Sequence, residues 1–147
     1  TFQFNGGTLQ TPSVVGSLIN NGGVFDPGSS PAITTVTGDY TQNTGTLEIE
    51  IAGLGPGVGF DVLQVAGDLA AGGSLQVVLD SSFLPQFGQM FEVVIADSIS
   101  GMFQFDGPED INGDDIFAIH YNDFQIITSL KFKDKVSNAN ELGGDSL

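Results

Sequence analysis

The sequence predicts an all-β fold in which short solenoid-like rungs of parallel strand merge into an antiparallel β cap. Three observations lead there. Gly6-Gly7-Thr8-Leu9, Gly22-Gly23-Val24-Phe25 and Gly72-Gly73-Ser74-Leu75 repeat one local pattern, and Gly45-Thr46-Leu47 is a weaker fourth copy. Twenty-one Gly and six Pro, with many Thr, Ser, Asn and Asp, punctuate the chain at intervals of about 8–12 residues. Between the breaks, apolar and polar residues alternate with the period of two that a half-buried strand requires.

Each glycine copy reads as a tight turn that launches a strand. Glycines 7 and 23 are 16 residues apart, and glycines 23 and 45 are 22 apart. Such spacings suit one coil of a β-solenoid, which buries its faces only by stacking on a neighbour. The first part of the chain therefore reads as rungs: Thr8 to Gln10, Val14 to Ile19, Val24-Phe25 and Ile33 to Val36. Thr46 to Ile51 alternates cleanly, with Leu47, Ile49 and Ile51 on the buried side. Beyond Ile51 the spacing lengthens and hairpin-like pieces enter. Leu75, Val77 and Leu79 share a face, as do Phe91, Val93 and Ile95. Phe117, Ile119 and Tyr121 alternate up to Asn122-Asp123, a hairpin signal, and Phe124, Ile126 and Thr128 continue on the return strand. The best helical window, Val65 to Ala71, is broken by Gly67 and stopped by Gly72-Gly73.

The domain reading is one all-β unit over 1–130, solenoid-like over about 1–51 and a capping sheet over about 52–130. A lysine-bearing strand and tail follow over 131–147. A compact β-sandwich or jelly roll throughout is the alternative.

Charge narrows the function. The net charge is −15, and fifteen acidic residues precede Leu130 or lie before Lys131 without one Lys or Arg. Lys131, Lys133 and Lys135 are the three basic residues of the chain. Phosphate backbones and anionic membrane surfaces are repelled by such a field, so nucleic acid is not an expected partner. No stretch reaches the ~18 apolar residues of a membrane-spanning helix, so no membrane insertion is expected. With no cysteine, disulfides and thiolate metal sites are excluded. The chain starts inside what reads as a strand, Thr1 to Phe4, as a mature or trimmed product would.

The order of the passages carries a resemblance. Gly23 to Pro31, Thr37-Gly38-Asp39-Tyr40-Thr41-Gln42, Leu47 to Ile51, Gly59 to Val65, Leu69 to Leu79 and Gly88 to Gly101 follow one another as do similar passages in autotransporter-like secreted bacterial β-helix proteins, including PEP-CTERM-type exported proteins. The match runs from about residue 6 to residue 130. It implies a right-handed parallel β-helix closed by a β cap, export to the cell surface or extracellular space of a bacterium, a structural or adhesive role and no catalytic residues. The tail departs from the pattern, since neither a membrane β-barrel nor a PEP motif with its anchor follows.

Several residue sets are candidate sites. Asp110, Asn112 and Asp114 have the first-third-fifth oxygen spacing of a calcium loop. Position six is Asp115 and position twelve Tyr121, so the EF-hand pattern fails, and an Asx-rich turn is the plainer account. Calcium is the one ion suggested, and no cofactor is implied. His120, the sole histidine, points away from the apolar face and reads as a surface residue. Glu48 and Glu50 lie side by side on one outward face, an arrangement unsuited to glycoside hydrolysis, which needs carboxylates across a bond. Phe83, Phe87 and Phe103 fall near loops and read as the exposed phenylalanines. Leu130, Lys131, Phe132 and Lys133 alternate apolar and basic, like a protected edge strand. With Phe2 and Phe4 at the other end, they form a candidate assembly pair, joining copies head to tail. The function expected is a non-catalytic structural component of a bacterial surface or extracellular matrix that self-associates into filaments or contacts other surface proteins. An adhesin or a carbohydrate-binding module, calcium-dependent and directed at polysaccharide, is the alternative.

Overall fold

The computed structural model describes residues 1–27, 31–108 and 115–132. They form an open, all-β structure with no helix. The strands are β1 (Phe2–Phe4), β2 (Thr8–Gln10), β3 (Ser13–Val14), β4 (Leu18–Asp26), β5 (Ile33–Val36), β6 (Tyr40–Ile51), β7 (Val62–Ala71), β8 (Ser74–Leu79), β9 (Met90–Gly101), β10 (Gln104–Asp106), β11 (Asp115–Tyr121) and β12 (Gln125–Phe132).

Pairing is parallel from β1 to β10 and always joins segments well separated in sequence. The first half of β4 pairs with β1 and its second half with β2. On its other side β4 pairs with β6. The long β6 then meets the end of β7 at Tyr40–Thr41 and all of β8 at Thr46–Ile51. A separate ladder runs from β3 through β5 and β7 to β9, and β10 lies on β8.

These registers align like residues in three columns. Phe2, Leu18, Tyr40, Leu69 and Ile99 occupy one. Leu9, Phe25, Leu47, Leu75 and Phe105 occupy the second. Val14, Val36, Val65 and Ala96 occupy the third. Leu18, Tyr40, Leu69, Phe25, Leu47, Leu75 and Val36 are fully buried. The Phe25 and Tyr40 rings meet edge to face at 5.2 Å, so the first two columns touch across the interior. Alternation thus places one residue in two into a shared core, as the strand period demands.

Parallel pairing continues past Ile51 as far as Asp106, later than the expected change to a capping sheet near residue 52. The reason lies in the connections. Segments 52–61 and 80–89 lengthen the spacing between paired strands without breaking their register, which hides the repeat from sequence spacing. Among the described residues, antiparallel pairing between strands is confined to β9, β12 and β11, the last two joined by the expected hairpin, with one isolated antiparallel bridge besides, Ile51 to Phe60. There β9 carries an irregularity: Ile127 faces Glu92 and Ile126 faces Val94. Val93 and Val94 are both buried as a result, and Ile95 is only partly covered, contrary to the simple alternation of Phe91, Val93 and Ile95. Phe91 anchors this end of the core, edge-on to Phe60, Phe83 and Phe117 at 5.3, 6.3 and 6.0 Å.

The glycine copies stack. Thr8, Val24, Thr46 and Ser74, each the residue after a corner glycine, are successive partners in one ladder. Gly45 has φ +91° and Gly73 has φ +59°. A Cβ at Gly45 would press into the Gly23 carbonyl and the Asn20 side chain, and one at Gly73 into the Gly45 carbonyl. Two demands therefore coincide at these two corners: a left-handed backbone, and a neighbouring chain too close for a side chain. Gly88, with φ +89°, meets only the first demand, because nothing lies within 4 Å of its Cβ position. Gly88→Ala should cost about 1–2 kcal/mol, the conformational term alone. Gly45→Ala should cost clearly more, and urea unfolding of the two variants side by side measures the difference.

Candidate functional site

The polar groups inside the molecule serve its corners. Asn20 is fully buried, and its Oδ1 accepts hydrogen bonds from the Gly22 and Gly23 amides at 3.0 and 2.8 Å. Its Nδ2 donates to the Gly23 carbonyl at 3.0 Å. Gln42 repeats the arrangement one strand on, with Nε2 donating to the Gly72 and Ser74 carbonyls, both at 2.9 Å. The Tyr40 hydroxyl donates to Gln42 Oε1 and receives Asn20 Nδ2, which closes the network. Burial pushes the Tyr40 phenol well above its ordinary range, so it remains a donor. Asn20→Ala would strand the buried Gly23 amide and carbonyl, each worth about 1–3 kcal/mol when buried without a partner, and would leave the Gly22 amide of an exposed residue to water. The expected result is a loss of at least about 2 kcal/mol in urea unfolding.

A second line of corners runs on outward side chains. Ser17 Oγ accepts from the Asp39 amide at 3.0 Å, and Asp39 Oδ1 accepts from the Asp68 amide at 2.8 Å. Ser98 Oγ donates to Asp68 Oδ1 at 2.8 Å. Ser17, Asp39 and Asp68 belong to a repeat that the sequence reading missed: Val14-Val15-Gly16-Ser17-Leu18, Val36-Thr37-Gly38-Asp39-Tyr40 and Val65-Ala66-Gly67-Asp68-Leu69. The signal was available as Val-x-Gly-Ser/Asp-apolar.

Asp61 was missed as well. It is 1% exposed and bridges two strands from the loop before β7. Its Oδ1 accepts from the Ala32 amide at 2.9 Å and its Oδ2 from the Glu50 amide at 2.7 Å. Burial pushes its acid up to about 7 against the pull of those two donors, and the Asp26 and Glu50 carboxylates add to the rise. Glu48, Glu50 and Asp26 are also raised, first by burial. For both glutamates, repulsion from neighbouring carboxylates adds to it. Asp26 and Glu48 sit in register on β4 and β6, with Gln10, Gln76 and Asp106 on the flanking strands. Neutralising such a column favours the fold. The ordinary value for Asp61 is 3.8, so its contribution is full below that pH and is lost as pH rises through about 7. The urea midpoint should therefore rise on acidification from about pH 8 to about pH 5. Asp61→Asn should flatten that dependence, and it lowers stability at the acid end because its Nδ2 cannot accept from an amide.

The expected sites fall as follows. Asp110, Asn112 and Asp114, the calcium candidates, lie outside the described residues, as does Lys133. Among the described residues no group of three or more metal-binding side chains occurs. His120 is exposed, with Nε2 3.4 Å from Ser129 Oγ. Glu48 and Glu50 point outward and are half-buried. Phe87 is exposed as expected, but Phe103 is buried and Phe83 packs partly against the core. Phe103 is drawn in because its amide donates to the Tyr121 hydroxyl oxygen at 3.0 Å, beside the hairpin. Phe124 is instead exposed, since the turn ends before β12 begins. In the candidate assembly set, Phe2 is exposed and Phe4 buried, their rings stacked at 6.2 Å on the terminal strand β1. Leu130, Lys131 and Phe132 belong to β12. That strand is not the last of the sheet: the tight turn at Asn122–Gln125 folds β11 outside it. Among the described residues, Leu130–Phe132 pair with β11 alone, while Ile126–Ser129 lie between β11 and β9.

An outer groove of about 230 Å³ lies over β5, β7 and β9, lined by Ile33, Pro56, Phe60, Val62, Gln64, Glu92 and Ile95. Its one charged group is held in place. Gln125 Nε2 donates to Glu92 Oε2, and Asn122 in turn fixes Gln125 through its Nδ2 and Oδ1, both at 2.8 Å.

No protein-family model matches the chain, and comparison with curated proteins and with solved structures gave no match.

Proposed function

We propose that this chain is a non-catalytic structural element, a short parallel β-helix with a hairpin cap, that builds filaments on a bacterial surface or in an extracellular matrix. The observation that carries the reading is the use of the buried polar groups. Asn20, Gln42, Tyr40 and Asp61 all spend their hydrogen bonds on the corners and strands of the fold. Interior chemistry devoted to holding backbone in register belongs to a stiff spacer. The three aligned columns support the β-helix reading, because segments distant in sequence recur at the same place in each ladder. The bacterial, exported setting rests on the resemblance of the ordered passages.

Negative-stain electron microscopy with light scattering on the purified chain tests the proposal. Ordered assembly that grows with concentration is expected. A monodisperse monomer at every concentration would overturn the filament reading, and release of reducing sugar from polysaccharide would overturn the non-catalytic one.

A further inference from the structure

The outer groove has the chemistry of a seat for an apolar side chain with a cation beside it. Ile33, Pro56 and Ile95 supply the apolar wall, and Glu92 supplies one carboxylate at its edge. Gln125 and Asn122 hold that carboxylate from the hairpin turn, so it needs little reorganisation to receive a charge. A volume of about 230 Å³ exceeds the roughly 150 Å³ that encloses benzene and falls short of the roughly 300–1,000 Å³ of pockets for larger ligands. It suits one or two side chains of a peptide segment.

One segment of this chain has that composition. Lys131-Phe132-Lys133-Asp134-Lys135-Val136 contains every basic residue in the molecule, alternating with or followed by apolar ones. Two copies of a body with net charge −15 repel each other, so a contact between copies needs a cationic element meeting an acidic one. Direction identifies the source. Ile127 of β12 faces Glu92, and Ser129 faces Met90, so the chain is already moving away from Glu92 as it enters the lysine-bearing segment.

We propose that the groove over β5, β7 and β9 receives the lysine-bearing segment of a second copy, with Glu92 taking a lysine and the Ile33–Ile95 wall taking the apolar residue beside it. The inference rests on the filament reading and gives it a contact. Groove and segment are different surfaces, so the contact is heterologous and propagates head to tail.

Charge reversal on the full chain tests it. Glu92→Lys keeps the segment and spoils the groove. The triple variant Lys131→Glu, Lys133→Glu, Lys135→Glu keeps the groove and spoils the segment. Each alone should fail to assemble in analytical ultracentrifugation. An equimolar mixture should recover assembly, because the triple variant's intact groove receives the intact segment of the Glu92→Lys variant and the two reversed surfaces are again opposite in charge. Glu92→Gln, which removes the charge and retains an amide for Gln125, should weaken assembly with no loss of fold by circular dichroism. A synthetic peptide of residues 129–137, titrated onto the full wild-type chain, should bind and should lose at least about tenfold in affinity with Glu92→Lys. Wild-type assembly that survives both charge reversals sinks the groove contact and leaves the filament reading standing. A wild-type monomer that still binds the peptide through Glu92 does the reverse. Failure of the mixture to assemble, or peptide binding indifferent to Glu92, overturns the assignment.

Discussion

The structure depends on one constraint: parallel strands must turn a corner while their neighbours turn the same corner about 4.8 Å away. At that spacing the backbone amides and carbonyls of the bend cannot all bond along the strand ladder, and at Gly23 they are buried. Asn20 and Gln42 resolve this from inside. Each reaches the bend three residues ahead of it, Asn20 to Gly23 and Gln42 to Gly45, and carries both a donor and an acceptor on one short arm. A leucine at either position would fill the space and leave the bend unsatisfied. The glycines are the other half of the solution, because the stacked carbonyls of Gly23 and Gly45 occupy the place of any side chain at the next corner.

From that constraint the rest of the core follows. With corners fixed in register, the columns headed by Leu18, Phe25 and Val36 are forced into line, and each strand buries alternate residues against its neighbours in the stack. The long connections tolerate variation because they leave the register untouched. The loop over 52–61 even contributes, sending Asp61 inward to hold Ala32 and Glu50 and Phe60 inward to meet Phe91. The cost is a carboxyl buried near the Asp26 and Glu50 carboxylates, which ties the stability of the fold to pH.

Much of this was legible in the sequence. Leu47, Ile49 and Ile51 announce their buried face, and Asn122-Asp123 announces the hairpin. The glycine copies mark real corners in their correct order. The corner amides were also present as a pattern, Asn20 and Gln42 each three residues before a corner glycine, yet polar residues in a turn-rich chain read as surface. The continuing parallel register was hidden by unequal loops: the spacing from Val14 to Val36 is 22 residues and from Val36 to Val65 is 29, though the three are partners. Asp61 could not be read at all. A single aspartate after a glycine-rich loop resembles any exposed acid until its two amide donors, 29 and 11 residues distant, are brought to it. The groove was illegible for the same reason, since its residues come from two loops' worth of separation and only Glu92 carries a charge.

The charge pattern takes its meaning from the way the strands stack. Parallel stacking repeats each outward position on the next strand, so Asp26 and Glu48 come into register, with Gln76 next and Asp106 beyond it. An acid chosen once for solubility thereby becomes a column of like charge, and the amides Gln10 and Gln76 dilute it. Gln10 Nε2 donates to Asp26 Oδ2 at 2.9 Å, which is the relief available to a ladder without a lysine or arginine in it. Cations placed inside the stack would relieve it further and would leave nothing to distinguish one surface from another. With every lysine held back to the segment after Leu130, the body keeps a uniform repulsion and the molecule keeps one place where that repulsion changes sign. Like charge on the stacked faces disfavours random association between them, and the lysine-bearing segment is the one stretch of the sequence where cations are concentrated.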